Sequence, residues 1–349
     1  MTRGESVARI DRISVDALGE RRLEEVRENV RAERDAEAAR PLSVAVMGQA
    51  GVGKSSLLNA LFGTDLTVGD VKPVPEKPQA VTVPGNSGHH LTFWDMPGIG
   101  ESPATDPAYA AMYVEKLAEA DVVIWAVHAD SRSAAYDAER LRLLLAGVDD
   151  EERRHVMSKL TVVLTKADTL TPPPWIFDMR GRHGTFVPSA QLAGRLAAKA
   201  AYFERALLEP WDDLLTATTY NTGGFTPADD RLASDGHTVR YRGHFSQAVC
   251  DAYRAAHPEH AEVFQRLRDN HRVLPCSALF RFNLAPLLVT VVSKLGPTAI
   301  FRFQRLLDDV TALGGVPVAD MRGFGNFMIW DGVRGVTAFD LGRHPFNPL

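Results

Sequence analysis

Gly48, Gly53, Lys54 and Ser55 stand in the run GQAGVGKS, with the spacing G-x-x-x-x-G-K-[ST]. The glycines let the backbone turn tightly enough for successive N–H groups to converge on phosphate oxygens. Ala50, Gly51, Val52, Gly53 and Ser56 supply the neighbouring positions of that cradle. Lys54 can reach the outer phosphates, and the Ser55 hydroxyl can ligate Mg2+. The loop speaks of phosphate and of a divalent cation, and does not distinguish ATP from GTP.

The base is read elsewhere. TKAD, Thr165 to Asp168, follows an apolar run about 110 residues beyond Lys54. A carboxylate at Asp168 can accept from both guanine N1–H and the exocyclic N2 amine, where adenine offers no donors. The Lys166 stem can lie along the purine face. DMPG, Asp95 to Gly98, adds a carboxylate that can hold Mg2+ through water and a Gly98 N–H that can meet a γ-phosphate. CSA, Cys276 to Ala278, offers backbone around Ser277 and Ala278 to the guanine O6. The expected ligands are GTP and GDP with Mg2+.

Such groups need rigid elements to hold them in place. LSVAVMG predicts a buried strand and GKSSLLNALFG a helix that Gly63 stops. HLTFWD, ADVVIWAVHAD, KLTVVLTKAD and HRVLPCSALF predict further strands. AAYDAERLRLLLAG and NLAPLLVTVVSKL predict helices. The alternation implies an α/β fold of three layers, a mainly parallel sheet with helices on both faces. About a hundred residues then separate TKAD from CSA, too long for a plain connection. The domain that holds the motifs is therefore expected over 41–170 and 271–296, with a mostly helical insertion over 171–270. Within the insertion, SAQLAGRLAAKAAYFERALLEPWDDLL and HFSQAVCDAYRAA read as helices, and YNTGGFTPADDRLASDGH as loop. Residues 1–40 read as an N-terminal helix with a thin apolar stripe through Val15, Leu18, Leu23, Val26 and Val30. Residues 297–349 read as a helix with Pro297 at its start, followed by an irregular tail.

Composition narrows the classes. A formal net charge of −5 gives no general attraction to DNA or anionic lipid. Residues 171–349 carry 19 basic and 17 acidic side chains, which argues against an RNA-tracking surface. Two cysteines make neither a disulfide framework nor a four-ligand zinc site and fit reduced thiols. The scattered histidines, His89 and His90 among them, form no metal-ligating spacing. The N-terminal stretch has no apolar signal region, and no uninterrupted apolar run is long enough to span a bilayer. The expected compartment is the cytoplasm.

On these four motifs the sequence resembles the Era-like GTPases of the translation-factor-related, HSR1-related P-loop class. The resemblance covers 42–170 and 271–296. It implies GTP hydrolysis with Lys54, Ser55 and Gly98 at the reacting phosphate, and a switch between nucleotide states. Three positions depart from the pattern. The Mg2+-ligating switch threonine falls at Pro75 or at Thr82, depending on alignment; Thr82 is the candidate ligand, although its AVTVPG context favours an ordinary strand residue. Ile99 stands where Ras-like proteins place a water-orienting glutamine, which implies slow or assisted hydrolysis. Gly51 stands where potassium-activated relatives have asparagine.

The leading expectation is a GTPase switch whose insertion and tail recognise a protein effector. Two alternatives are a guanine-nucleotide-dependent scaffold that does not hydrolyse, and a dynamin-like membrane GTPase, the membrane being the less favoured partner. A dimer is compatible with either.

Overall fold

The computed structural model describes residues 28, 31–32, 42–49, 51–62, 79–84, 90–95, 107–170, 175–180, 182–220, 223–294, 315–317, 327–330 and 335–338. Its central sheet has six strands: β1 (Leu42–Met47), β2 (Gln79–Pro84), β3 (His90–Asp95), β4 (Val122–His128), β5 (Leu160–Thr165) and β11 (Leu274–Pro275). They lie in the order β11-β5-β4-β1-β3-β2. All neighbours are parallel except β2, which runs antiparallel to β3.

Successive strand residues point to opposite faces, and here both faces are covered. Ala45, Met47, Val123, Trp125, Val127, Val162 and Leu164 enter one core; Val44, Val46, Val122, Ile124 and Val163 enter the other. That is why these strands read as unbroken apolar runs. On the first face pack α2 (Pro107–Glu119), α3 (Ala135–Leu145) and α4 (Asp150–Lys159). On the second pack α1 (Lys54–Phe62) and α8 (Leu284–Lys294). The three-layer α/β architecture expected from the sequence is the one observed.

The insertion holds its expected helices, α5 (Ala190–Leu207) and α6 (Gln247–Ala256), and adds α7 (Ala261–His271). Ser189 caps α5 by accepting from Leu192 N at 3.3 Å. Beyond α5, 3-10 turns run over Glu209–Leu214, where Pro210 supplies no N–H.

The insertion also contains five strands that its sequence did not announce. A hairpin of β6 (Trp175–Arg180) and β7 (His183–Pro188) buries Trp175, Phe177 and Phe186 in the same core as α5. A three-stranded sheet of β8 (Thr216–Tyr220), β9 (Leu232–Ser234) and β10 (Thr238–Arg242) builds a separate core with α6 and α7. Part of the segment read as loop is therefore β9, and the segment's first residue, Tyr220, ends β8; β10 begins directly after it. β9 and β10 join at a tight turn, where Asp235 Oδ1 accepts from His237 N and Thr238 N, and Gly236 takes φ 87°.

The C-terminal region is likewise not all irregular. β12 (Val316–Pro317), β13 (Phe327–Trp330) and β14 (Gly335–Ala338) join the hairpin in one sheet, in the order β12-β7-β6-β13-β14. The helix expected after Pro297 lies outside the described residues. Of the N-terminal segment, Glu28, Arg31 and Ala32 are described; they are helical and exposed. Among the described residues, no helix is long and apolar enough to cross a membrane.

Candidate functional site

The phosphate loop leaves β1 at Met47 and enters α1 at Lys54. Gly48, Gly51 and Gly53 have φ of 142°, 70° and 97°, conformations that favour glycine. Gly48 is required for space as well: a Cβ there would lie 2.2 Å from the Ala126 carbonyl oxygen of β4. Lys54 folds back over the loop, its Nζ donating to the carbonyls of Gly48 (3.1 Å) and Gln49 (3.3 Å). Ser55 and Ser56 occupy the first turn of α1, which carries no acidic residue to oppose an anion at its N-terminus. Val52 is buried beneath the loop, and Ala50 lies outside the described residues.

TKAD begins at the last residue of β5. Thr165 is buried; its Oγ1 donates to Val52 O at 2.6 Å, with Val127 O at 3.1 Å, and so ties the end of β5 to the phosphate loop. Lys166 is left-handed (φ 54°, ψ 40°), and a Cβ on Gly53 would lie 3.4 Å from its Cε. The lysine stem therefore lies beside the phosphate loop. Asp168 sits in the one-turn 3-10 helix Ala167–Thr169 and receives a 2.5 Å hydrogen bond from Ser277 Oγ. Ser277 Oγ in turn accepts from Phe280 N at 2.9 Å. Backbone bonds from Cys276 N to Leu164 O (2.7 Å) and from Ala167 N to Cys276 O (3.0 Å) fasten the two loops, with Ala278 on the turn that follows. Removing the hydroxyl of Thr165 should cost about 1–3 kcal/mol, because Val52 O loses its buried donor. Thr165→Val is expected to unfold at lower denaturant; an unchanged midpoint would show that the tie has no energetic weight.

Asp95 ends β3 in register with Val46, at the end of β1 from which the phosphate loop departs. Ser55 and Asp95 offer hard oxygen donors, the chemistry that suits Mg2+. Thr82 is different. On β2 it pairs with Thr92, whereas Gln79 is the β2 residue opposite Asp95. Three residues of strand place Thr82 about 10 Å from that end. It is an interior strand residue and is not carried forward as a metal ligand. Gly98, Ile99 and Pro75 lie outside the described residues.

Three features beside the site were not anticipated. His128 ends β4, and its Nδ1 accepts from Asp130 N at 3.1 Å; burial and then the Lys166 ammonium hold the imidazole below its ordinary pKa. Helix α5 of the insertion grips the loop that follows, through Lys199 Nζ to Ser131 O (2.5 Å) and Ala134 N to Tyr202 Oη (3.2 Å). Asp137 is buried and accepts from Trp125 Nε1 at 3.0 Å. It lines a small cavity together with Gly48 and Gln49. A signal for it existed, since Asp137 occupies the apolar stripe of α3 with Leu141 and Leu144.

Burial raises the Asp137 pKa above 3.8, against the lowering effects of Trp125 and its own backbone N–H. A carboxyl with a raised folded-state pKa favours the fold below its unfolded pKa, and that contribution is lost as pH rises through the folded value. Asp137→Asn keeps an acceptor for Trp125 and removes the titration. The variant should gain melting temperature over wild type at pH 7, and the gain should shrink toward pH 4. Equal gains at both pH values would overturn this.

Residues 43–166 match the family described as "50S ribosome-binding GTPase". Escherichia coli K12 YkfA, a protein described as uncharacterised, is 36% identical over 130 residues, 37% of this chain and 42% of its own length. GTPase Era of Geotalea daltonii is 24% identical over 184 residues, 50% of this chain and 59% of its own. The chain thus spans less than two thirds of either relative. Among solved structures, Era from Aquifex aeolicus aligns with TM-score 0.35 at 18% identity, over 73% of this chain and 56% of its own. The LeoA bacterial dynamin GTPase from ETEC aligns with TM-score 0.44 at 13% identity, over 89% and 46%. Structural likeness at this level carries no functional argument. The motifs, the strand order and the matched family agree: residues 43–166 are an Era-like, HSR1-related G domain of the P-loop GTPase family.

Proposed function

We propose that the protein binds GTP and GDP with Mg2+, hydrolyses GTP slowly or with assistance, and acts as a nucleotide-dependent switch for a protein partner. The observation that carries this reading is the joining of three separate segments at one end of the sheet. Thr165 ties TKAD to the phosphate loop, and Ser277 ties CSA to Asp168. In this reading the N–H groups of Ala50 to Ser56 and the Lys54 ammonium hold the phosphates. Ser55 and Asp95 would hold Mg2+. Asp168 accepts from guanine N1–H and N2–H, the Lys166 stem lies along the purine, and backbone at Ser277 and Ala278 meets O6. The Gly98 N–H senses the γ-phosphate. Mg2+ would neutralise charge on the β- and γ-phosphates.

Ile99 has no group with which to orient a water, which is why the proposed rate is low or partner-dependent. The same residue favours a second reading, a nucleotide-dependent scaffold without turnover. The family's description names the 50S ribosome. The near balance of charge over 171–349 favours a protein surface as the partner instead.

Purified protein is expected to bind fluorescent GDP in Mg2+, and to release phosphate from GTP over many turnovers above a Lys54→Ala control. Turnover equal to that control would leave the scaffold. Binding of neither nucleotide would end both readings. Capture of different proteins by the GDP-loaded chain and by the chain loaded with a non-hydrolysable GTP analogue tests the switch.

A further inference from the structure

The insertion and the CSA loop enclose a cavity of about 570 Å3 that the nucleotide reading does not use. One wall is α5. Its alanines 193, 197 and 201 recur every fourth residue and are exposed, so no large side chain fills the space above them. Val273, Pro275 and Phe282 add apolar lining, beside the polar Gln247, Gln265 and Asn283.

At the inner end lies Arg268 of α7, only 6% exposed. Its Nη2 donates to Glu204 Oε2 at 2.6 Å and its Nε to Gln247 Oε1 at 3.4 Å. Its Nη1 is buried and has no hydrogen-bond partner. Glu204 cannot supply one easily, because its other oxygen lies 3.1 Å from His244 Nε2. Buried guanidinium donors are almost always matched by an acceptor, and here the side chain that carries the unmatched one borders an open cavity. Arg272, exposed, adds a second positive charge to the lining.

We propose that this cavity binds a small amphipathic molecule, its apolar body against α5 and Phe282 and a single carboxylate toward which the Arg268 guanidinium turns its unmatched Nη1. The volume falls in the range of small-molecule sites, roughly 300–1000 Å3, and is too small for a folded partner element. One negative charge suits the site better than two. Glu204 already balances Arg268, so a dianion would face the Glu204 carboxylate with only Arg272 to offset it. The site stands independently of the nucleotide reading and shares with the base pocket only the stretch from Pro275 to Asn283.

The test titrates the full chain with dodecanoate and, separately, with dodecanol, each followed by displacement of the fluorescent aryl sulfonate 1-anilinonaphthalene-8-sulfonate. The proposal expects saturable binding of one dodecanoate per chain, with dodecanol weaker by at least about tenfold for want of the charge-assisted bond. Ala197→Phe fills the groove without touching the ion pair and should lower dodecanoate affinity by about tenfold or more, with unchanged melting and GDP binding. Arg268→Gln should bring dodecanoate down to the level of dodecanol; should that variant fail to fold, Ala197→Phe and the alcohol comparison still decide. Equal affinity for acid and alcohol, or an Ala197→Phe variant that binds like wild type, overturns the proposal. So does a chain that binds neither probe and changes its oligomeric state on Ala197→Phe, since the groove would then be a protein contact face. Dodecanoate binding is read without nucleotide, so failure here and failure to bind GDP are separate results.

Discussion

Lys54→Ala is expected to weaken GDP and GTP binding by at least about a hundredfold. Each charge-assisted hydrogen bond contributes roughly 1.5–3 kcal/mol, and the ammonium can make two to the outer phosphates; about 3 kcal/mol is a hundredfold in affinity. The structure explains why no other group would compensate. The nitrogen is already held over the loop by the Gly48 and Gln49 carbonyls. Once it is gone, those two oxygens face the phosphates with no cation between. The same placement predicts an intact fold, since the bonds are local and water can replace them. Titration with fluorescent GDP, alongside a thermal melt, checks both halves. Binding within about threefold of wild type, with the melt unchanged, would mean that the loop holds something other than a polyphosphate.

Asp168→Asn should change which base is bound. Ser277 Oγ accepts from Phe280 N, so its hydrogen is committed to Asp168 Oδ1. The asparagine oxygen would inherit that bond, and its NH2 would then face the base. Guanine presents N–H donors there and would meet a donor; xanthine presents a carbonyl oxygen at C2 and would be accepted. GDP affinity is expected to fall by about a hundredfold, at roughly 1–3 kcal/mol for each unmet donor, while xanthosine diphosphate gains. Ser277→Ala in the same background frees the amide to turn over and should blunt the switch. An Asp168→Asn variant that loses both nucleotides equally would point to collapse of the loop and not to base reading.

The parts of the molecule that the sequence revealed share one physical property: their signal is local. β1, β4 and β5 are covered on both faces, so every residue carries the apolar signal. The phosphate loop is constrained by glycines within a few residues of one another. The hairpin β6–β7 hides its pattern. Gly184 takes an inward position of β7 because a Cβ there would come within 2.5 Å of the Phe177 ring, while Val187 faces solvent. A small residue inside and an apolar one outside erase the alternation by which a strand is read. How far Thr82 stands from Asp95 is a matter of register, which only the pairing with β3 shows. The grip of α5 on the loop after β4 joins residues 68 positions apart, and the Lys166 ammonium that acts on His128 is 38 positions away, separations that no local pattern encodes.

The pairing of β6 with β13 has a consequence for synthesis. Residue 175 waits for residue 327, about 150 positions later, whereas the six-stranded sheet is complete with β11 and α8, by residue 294. A chain emerging from its N-terminus would thus have every segment of the nucleotide site available while one edge of the hairpin still lacked its neighbour. Non-local pairing of this kind is slow to form, and an unpaired strand edge is a template for other chains. Guanine nucleotide captured at that stage would stabilise the finished portion by mass action, but would do nothing for the open edge. Translation that stops between these two points would leave a product able to hold nucleotide and prone to aggregate, so the C-terminal strands act as the protein's own cover for that edge.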